Sequence, residues 1–256
     1  MKAFVAFTKK ELTSHARTMK IMIFGILFLL IAVLNVATAK FTPALMEMMS
    51  DMMAESGMTV TVGEPTALDS WTQFFKNIPV GIIVFVVLES GIFTGEYRSG
   101  TLVLSLTKGL DRKTVVASKT VVMTLLWTAS YWLCFGATYA GNMLFWDNSL
   151  AKELGFAAFC TWLFGIFLIS VTVLASTVFS SNIGVLLTAG GTVTVFYLAG
   201  MIPKIGRFFP TYLADGTSIV YGMSAPDDYL AAAVITAAAS VVCLAASFPL
   251  FDKKQL

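Results

Sequence analysis

Long apolar runs separated by short polar gaps set the pattern of this chain. Six of them stand out: Ile21–Thr38, Ile78–Thr94, Thr120–Ala140, Phe156–Phe179, Ile183–Met201 and Tyr229–Phe251. Each is close to the ~20 residues with which a helix crosses ~30 Å of hydrocarbon. A helix satisfies its own backbone polar groups, which lipid cannot do for it. The pattern predicts an all-α membrane protein with six transmembrane helices in a single domain, residues 1–256.

The gaps carry their own signals. Residues 1–20 set Phe4, Phe7, Leu12 and Met19 among Lys9, Lys10, Arg17 and Lys20. That mixture predicts a short interfacial helix on the membrane surface, with a frayed basic tail as the alternative. In the long first outer loop, residues 40–77, Leu45, Met48 and Met52 recur at helical spacing, as do Met46, Met49 and Met53. Glu47, Asp51 and Glu55 form an acidic stripe beside them. An amphipathic helix is expected there, its methionines packing against lipid or protein, or else holding Cu(I) through thioethers. Ser180-Ser181-Asn182 is a tight turn between the fourth and fifth runs. Residues 202–228 are broken by Pro203, Gly206, Pro210 and Gly216, and predict short outer helices at the interface. Small residues crowd the last run, and Gly190 and Gly191 lie in the fifth; both allow close helix approach.

Charge orients the pattern. Only 12% of residues are charged and 57% are hydrophobic, with a mean hydropathy of +0.81; soluble domains carry about twice that charge. With the N-terminus in the cytoplasm, the inner segments collect twelve basic and four acidic residues, the outer ones five basic and ten acidic. Lys and Arg concentrate on the cytoplasmic side, so both termini are expected there, in a cell membrane. The basic start, apolar run and Ala37-Thr38-Ala39 imitate a signal peptide, but the run exceeds the usual length and reads as a retained span. Cys134, Cys160 and Cys243 all lie in spans and give no disulfide framework.

The second inner loop carries the most specific pattern. It reads Gly95-Glu96-Tyr97-Arg98-Ser99-Gly100-Thr101-Leu102 and continues to Lys119. An acid closes the second span and a Gly-Thr pair permits a turn. A short apolar segment (Leu102, Val103, Leu104, Leu106) then precedes a polar break, Lys108–Lys113. This predicts a short helix parallel to the membrane, standing out on a hairpin, suited to receive force from a soluble partner.

On these residues the chain resembles the ABC-2 family of ABC-transporter permeases. The motif matches at Glu96, Gly100, Thr101, Leu102, Arg112 and Lys119. The six spans, amphipathic N-terminal helix, long first outer loop and broken last outer connection are also similar. Where the family has a proline before the arginine, this chain has Gly109-Leu110-Asp111. The resemblance implies an exporter subunit that pairs with a second permease, identical or similar, and binds two separate ABC ATPase subunits, which carry the ATP and Mg. The loop is then the coupling helix. Glu96 and Arg98 fix the hairpin, Leu102, Leu104 and Leu106 fill a groove on the ATPase, and Lys108, Arg112 and Lys113 meet an acidic rim. The same lysines also satisfy the positive-inside bias without any partner. Hydrophobic or amphipathic cargo, such as a peptide or drug, fits the few charges in the spans.

Glu89 stands apart, two turns before Glu96. A carboxylate within lipid costs about 2.5–3.5 kcal/mol on insertion scales and must face protein or water. It lines a translocation path, carries a proton, or holds a hydrogen bond to Ser90 or a neighbouring span. An ion-coupled transporter or channel built on Glu89 is therefore the rival reading, though no inverted repeat supports it. A membrane-embedded enzyme or signalling scaffold is a third, with no catalytic constellation in its favour. No P-loop sequence occurs. The lone histidine, His15, excludes paired-histidine metal sites and reads as solvated or interfacial. No nucleic-acid surface is indicated, and no cofactor or metal is expected on this chain.

Overall fold

A computed structural model of the chain describes residues 2–54, 64–202 and 205–255, the side chains of residues 45–54 excepted. Ten α-helices follow one another among the described residues: α1 (Lys2–Arg17), α2 (Lys20–Ala54), α3 (Ala67–Glu89), α4 (Gly91–Ser99), α5 (Thr101–Thr107), α6 (Arg112–Met143), α7 (Leu154–Val178), α8 (Asn182–Gly200), α9 (Thr217–Val220) and α10 (Asp227–Lys253). Six helical segments are long and apolar enough to cross a membrane, with α3 and α4 together forming the second. The described residues thus form an all-helical fold with the span pattern of a multi-pass membrane protein.

The spans run longer than their apolar cores. α2 continues through Pro43 to Ala54, so the Met-rich segment prolongs the first span's helix; its methionine and acidic side chains lie outside the described residues. α3 begins eleven residues before Ile78, where the apolar run begins. Its first turns bury Trp71, Phe74, Phe75 and Ile78 at helical spacing, while Gln73, Lys76 and Asn77 interrupt the hydropathy on the other face. Thr66 donates both its N–H and its hydroxyl to the Asp69 carboxylate, at 2.8 and 3.0 Å, which fixes where α3 starts.

α7 is the central helix, buried along most of its length against α10, α6 and α8. Gly165 permits this packing: a Cβ there would lie 2.3 Å from the Trp127 ring of α6. By contrast α8 buries only Val185 and Ala189 and turns Ile183, Leu187, Val195 and Leu198 outward, a face suited to lipid or another helix. Between α8 and α10 the chain forms single turns at Gly206–Phe208 and Pro210–Ala214, then α9. Short helices were expected in this segment; Pro203 and Lys204 lie outside the described residues.

Polar side chains gather at the two ends of the bundle. One end carries both termini, the α4–α5–α6 hairpin and the α7–α8 turn. At the other end, Trp71 Nε1 donates to Asn148 Oδ1 (3.0 Å) and Asn148 Nδ2 donates to the Tyr139 carbonyl (3.1 Å). One layer deeper, Asn77 Nδ2 donates to Asn35 Oδ1 (2.8 Å), and Asn35 Nδ2 donates to the Thr138 hydroxyl (3.2 Å), joining α2, α3 and α6. Interhelical amides of this kind hold spans together where no hydrophobic force acts between them.

Candidate functional site

The hairpin at the terminal end is built by two glycines. α3 stops at Glu89, where the Ser90 hydroxyl donates to the Val87 carbonyl (2.8 Å), and α4 carries the chain on to Ser99. Gly100 then takes φ +67°, a left-handed conformation that costs other residues more, and α5 starts beyond it. A second left-handed glycine, Gly109 at φ +89°, turns the chain into α6. α5 lies against α4, buries Leu102 in the core and leaves Val103 and Leu104 exposed, the latter by 61%.

Beneath this hairpin lies a cluster of paired charges drawn from α1, α2, α3, α4 and α6. Lys119 of α6 has no exposed surface. Its ammonium donates to Glu11 Oε2 (3.1 Å) and to the Ile92 carbonyl (2.8 Å), and lies 2.9 Å from Glu96 Oε2. That last contact pairs the ammonium with a second carboxylate. The Phe7 and Phe93 rings flank the same ammonium at 5.8 and 5.4 Å. Lys10 bridges the other oxygens of Glu11 and Glu96. Burial opposes the charge on Lys10, but the two carboxylates outweigh it and hold its pKa above the ordinary lysine value.

Glu89 belongs to the second half of the cluster. It is fully buried, accepting from His15 Nε2 at 3.0 Å on one oxygen and from Lys20 at 3.1 Å on the other. Lys20 also donates to the Leu88 carbonyl (2.8 Å). The other ring nitrogen of His15 lies 2.8 Å from the Glu11 carbonyl. An imidazole with an acceptor at each nitrogen satisfies both only as the doubly protonated cation. Burial opposes that charge, yet the hydrogen bond and charge of Glu89, with the Glu11 carbonyl, raise the pKa of His15 above its ordinary value.

The C-terminal end is tied into the same region. Arg112 donates to the carbonyls of Phe251 (2.7 Å), Lys254 (2.7 Å) and Asp252 (3.2 Å), closing the end of α10. Lys254 in turn donates to Phe179 O (3.0 Å) at the end of α7. Cations at these positions satisfy the unpaired carbonyls and the negative pole of a helix C-terminus. Tyr97 donates to Ser176 O of α7 (2.9 Å), and Thr94 bonds Asn182 of α8.

The residues singled out in the sequence thus divide into two groups. Arg98, Thr101, Leu104 and Lys108 are exposed on the hairpin, with Gly100 and Leu106 half-buried. Glu96, Lys119, Leu102 and Arg112 face inward: Leu102 fills the protein's own core, and Arg112 is engaged by α10. Glu89 has both oxygens occupied, by His15 of α1 and by Lys20 at the start of the first span, α2, and not by Ser90.

The sequence reading missed Glu11, and it placed His15 in solvent or at the interface, whereas it is buried. The inward face of α1 is Phe7, Glu11 and His15, one residue per turn, while Met19 is exposed in the linker. Phe7 enters the apolar core, and charge compensation buries the other two. One signal was available: Glu11 is the single acid among the five basic residues of the first twenty.

Toward the middle of the bundle, α3, α7 and α8 enclose an apolar groove of ≈ 430 Å³, lined by Ile82, Val86, Phe164, Leu168, Leu186 and Val193. No protein-family model matches the chain, and no curated protein matches it.

Proposed function

We propose that this chain is the membrane permease of an ATP-driven exporter of the ABC-2 type, working with a second copy of itself and two separate ATPase subunits. The terminal end of the bundle then faces the cytoplasm, in keeping with the twelve basic residues of its segments. α5 serves as the coupling helix, offering Val103 and Leu104 as anchors with Arg98 and Lys108 at the rim.

The observation that carries this reading is the clamp under the hairpin. An exposed helix of seven residues transmits force only if its base is rigid. Here the base is fixed by Glu96 and Lys119 to α1, by Arg112 to α10, and by Tyr97 to α7. Movement of α5 is thereby delivered to most of the bundle. The apolar groove between α3, α7 and α8 favours hydrophobic or amphipathic cargo, such as a peptide or drug.

Co-expression with candidate ABC ATPase subunits tests the proposal. ATPase activity in nanodiscs is expected to require this chain and to be lost in Leu104→Asp, since replacing an interface anchor costs about 2 kcal/mol or more of binding. Substrate movement driven by a proton gradient without any ATPase would overturn the reading.

A further inference from the structure

The buried imidazole of His15 is more than the proposed transport cycle needs for rigidity. We infer that His15 is a positioning residue that clasps the end of α1 to the break between α3 and α4 only while its ring is protonated, so that the seating of α1 depends on pH.

The geometry leaves little choice. Either neutral tautomer turns a nitrogen lone pair towards a buried acceptor. With the proton on Nδ1, Nε2 faces the Glu89 carboxylate at 3.0 Å; with it on Nε2, Nδ1 faces the Glu11 carbonyl at 2.8 Å. A buried pair of facing acceptors costs the desolvation of both. The charged groups that act on the ring are Glu89 on α3 and Lys20 on α2; Glu11 and Lys10 on α1, Glu96 on α4 and Lys119 on α6 form the neighbouring pairs. When His15 loses its proton, Lys20 still neutralises Glu89, so the carboxylate stays where it is. But Lys20 belongs to α2 and cannot hold α1.

What remains on α1 are the Glu11–Lys119 and Lys10–Glu96 pairs, a turn or more away, which become a pivot. The chain beyond can turn about it, because α1 and α2 are joined through Met19 in a left-handed conformation, φ +60°, that a non-glycine residue holds only under constraint. Lys10 rides on the same helix and pairs with Glu96 at the base of the hairpin. A tilt of α1 therefore moves a ligand of α4. That consequence for coupling rests on the permease reading above; the clasp itself does not.

The direction follows from the raised pKa. The protonated clasp is complete below the ordinary histidine value and is lost as pH rises through the higher value of the seated ring. Lys10, held above its own ordinary value, keeps its charge over that interval.

His15 is the only histidine of the chain, so ¹⁵N NMR of the imidazole in the full-length protein in nanodiscs reports one titration. Its midpoint is expected above about 6.5. Spin labels at Ala16→Cys and Val87→Cys, both exposed, read the α1–α3 distance in a Cys243→Ala background, the other two thiols being buried. A single short distance is expected at low pH, with a longer population appearing at the imidazole midpoint. His15→Lys should keep the short distance across the range, and His15→Gln should show the longer one throughout. An imidazole midpoint at or below the ordinary value, or a wild-type distance that ignores the titration, overturns the inference. If His15→Gln does not fold, the wild-type titration and His15→Lys still decide. None of these measurements involves nucleotide, so a failed clasp leaves the permease reading standing, and a chain that couples to no ATPase leaves the clasp standing.

Discussion

The two ends of the bundle bury polar side chains in opposite ways. At the loop end the groups are neutral: Trp71 and Asn148 with the Tyr139 carbonyl in one set, Asn35, Thr138 and the half-buried Asn77 in another. At the terminal end they are ionic: buried His15 and Lys119, with half-buried Lys20 and exposed Lys10, are set against Glu11, Glu89 and Glu96. Neutral amides join spans that are already packed together and do not respond to pH. Ion pairs hold a separate helix, α1, onto the spans, and their strength depends on charge state. One end is a lock and the other a clasp.

Removing a charge should separate the two ends most sharply. Lys119→Met takes the central cation from Glu11 and Glu96 and is expected to cost about 3–5 kcal/mol, measured by thermal unfolding in lipid. Adding Glu11→Leu should recover part of that loss, because the cost is the stranded carboxylate rather than the missing pair. If the double variant is no more stable than the single one, the clasp is not governed by charge compensation.

Asn148→Ala, at the neutral end, leaves the Trp71 N–H without its acceptor and should cost about 1–3 kcal/mol. Its penalty should be the same at pH values either side of the His15 transition. A pH-dependent penalty would break the contrast between the ends. Arg112→Gln uncaps α10 and should cost about 1 kcal/mol, read as faster hydrogen exchange in the last turn of α10. The smallest effect on stability is expected from Leu104→Asp, within about 0.5 kcal/mol because Leu104 is exposed. That same variant should have the largest effect on coupling to an ATPase, which makes it the sharpest separation of fold from proposed function.

Hydropathy alone located the six spans, because apolar runs near 20 residues leave a chain few alternatives. The turn at Gly100 and the polar break after Leu106 were also legible, since a Gly-Thr pair and an alternation of apolar and charged residues are local signals. Span ends were less so: Gln73, Lys76 and Asn77 hid the first turns of α3, whose buried Trp71 and Phe74 lie on the opposite face. The charged cluster was legible only in pieces. Glu96 and Lys119 stood out in the hairpin motif, yet their partner Glu11 is more than eighty residues away from either. Nothing local distinguishes a lysine buried between two carboxylates from one that only follows the positive-inside bias.

The sequence by itself determined that this chain is a bundle of membrane-crossing helices, where its hairpin turns, and which segments carry the positive charge. Those properties follow from hydrophobic length, glycine conformation and composition, and each is set within a short window. Only the tertiary structure decided which charges are buried, that α1 presents Phe7, Glu11 and His15 inward, and that Arg112 and Lys254 close helix ends rather than face solvent. Burying a charge is tolerable only beside its counter-charge, and that neighbour is supplied by the packing of distant helices.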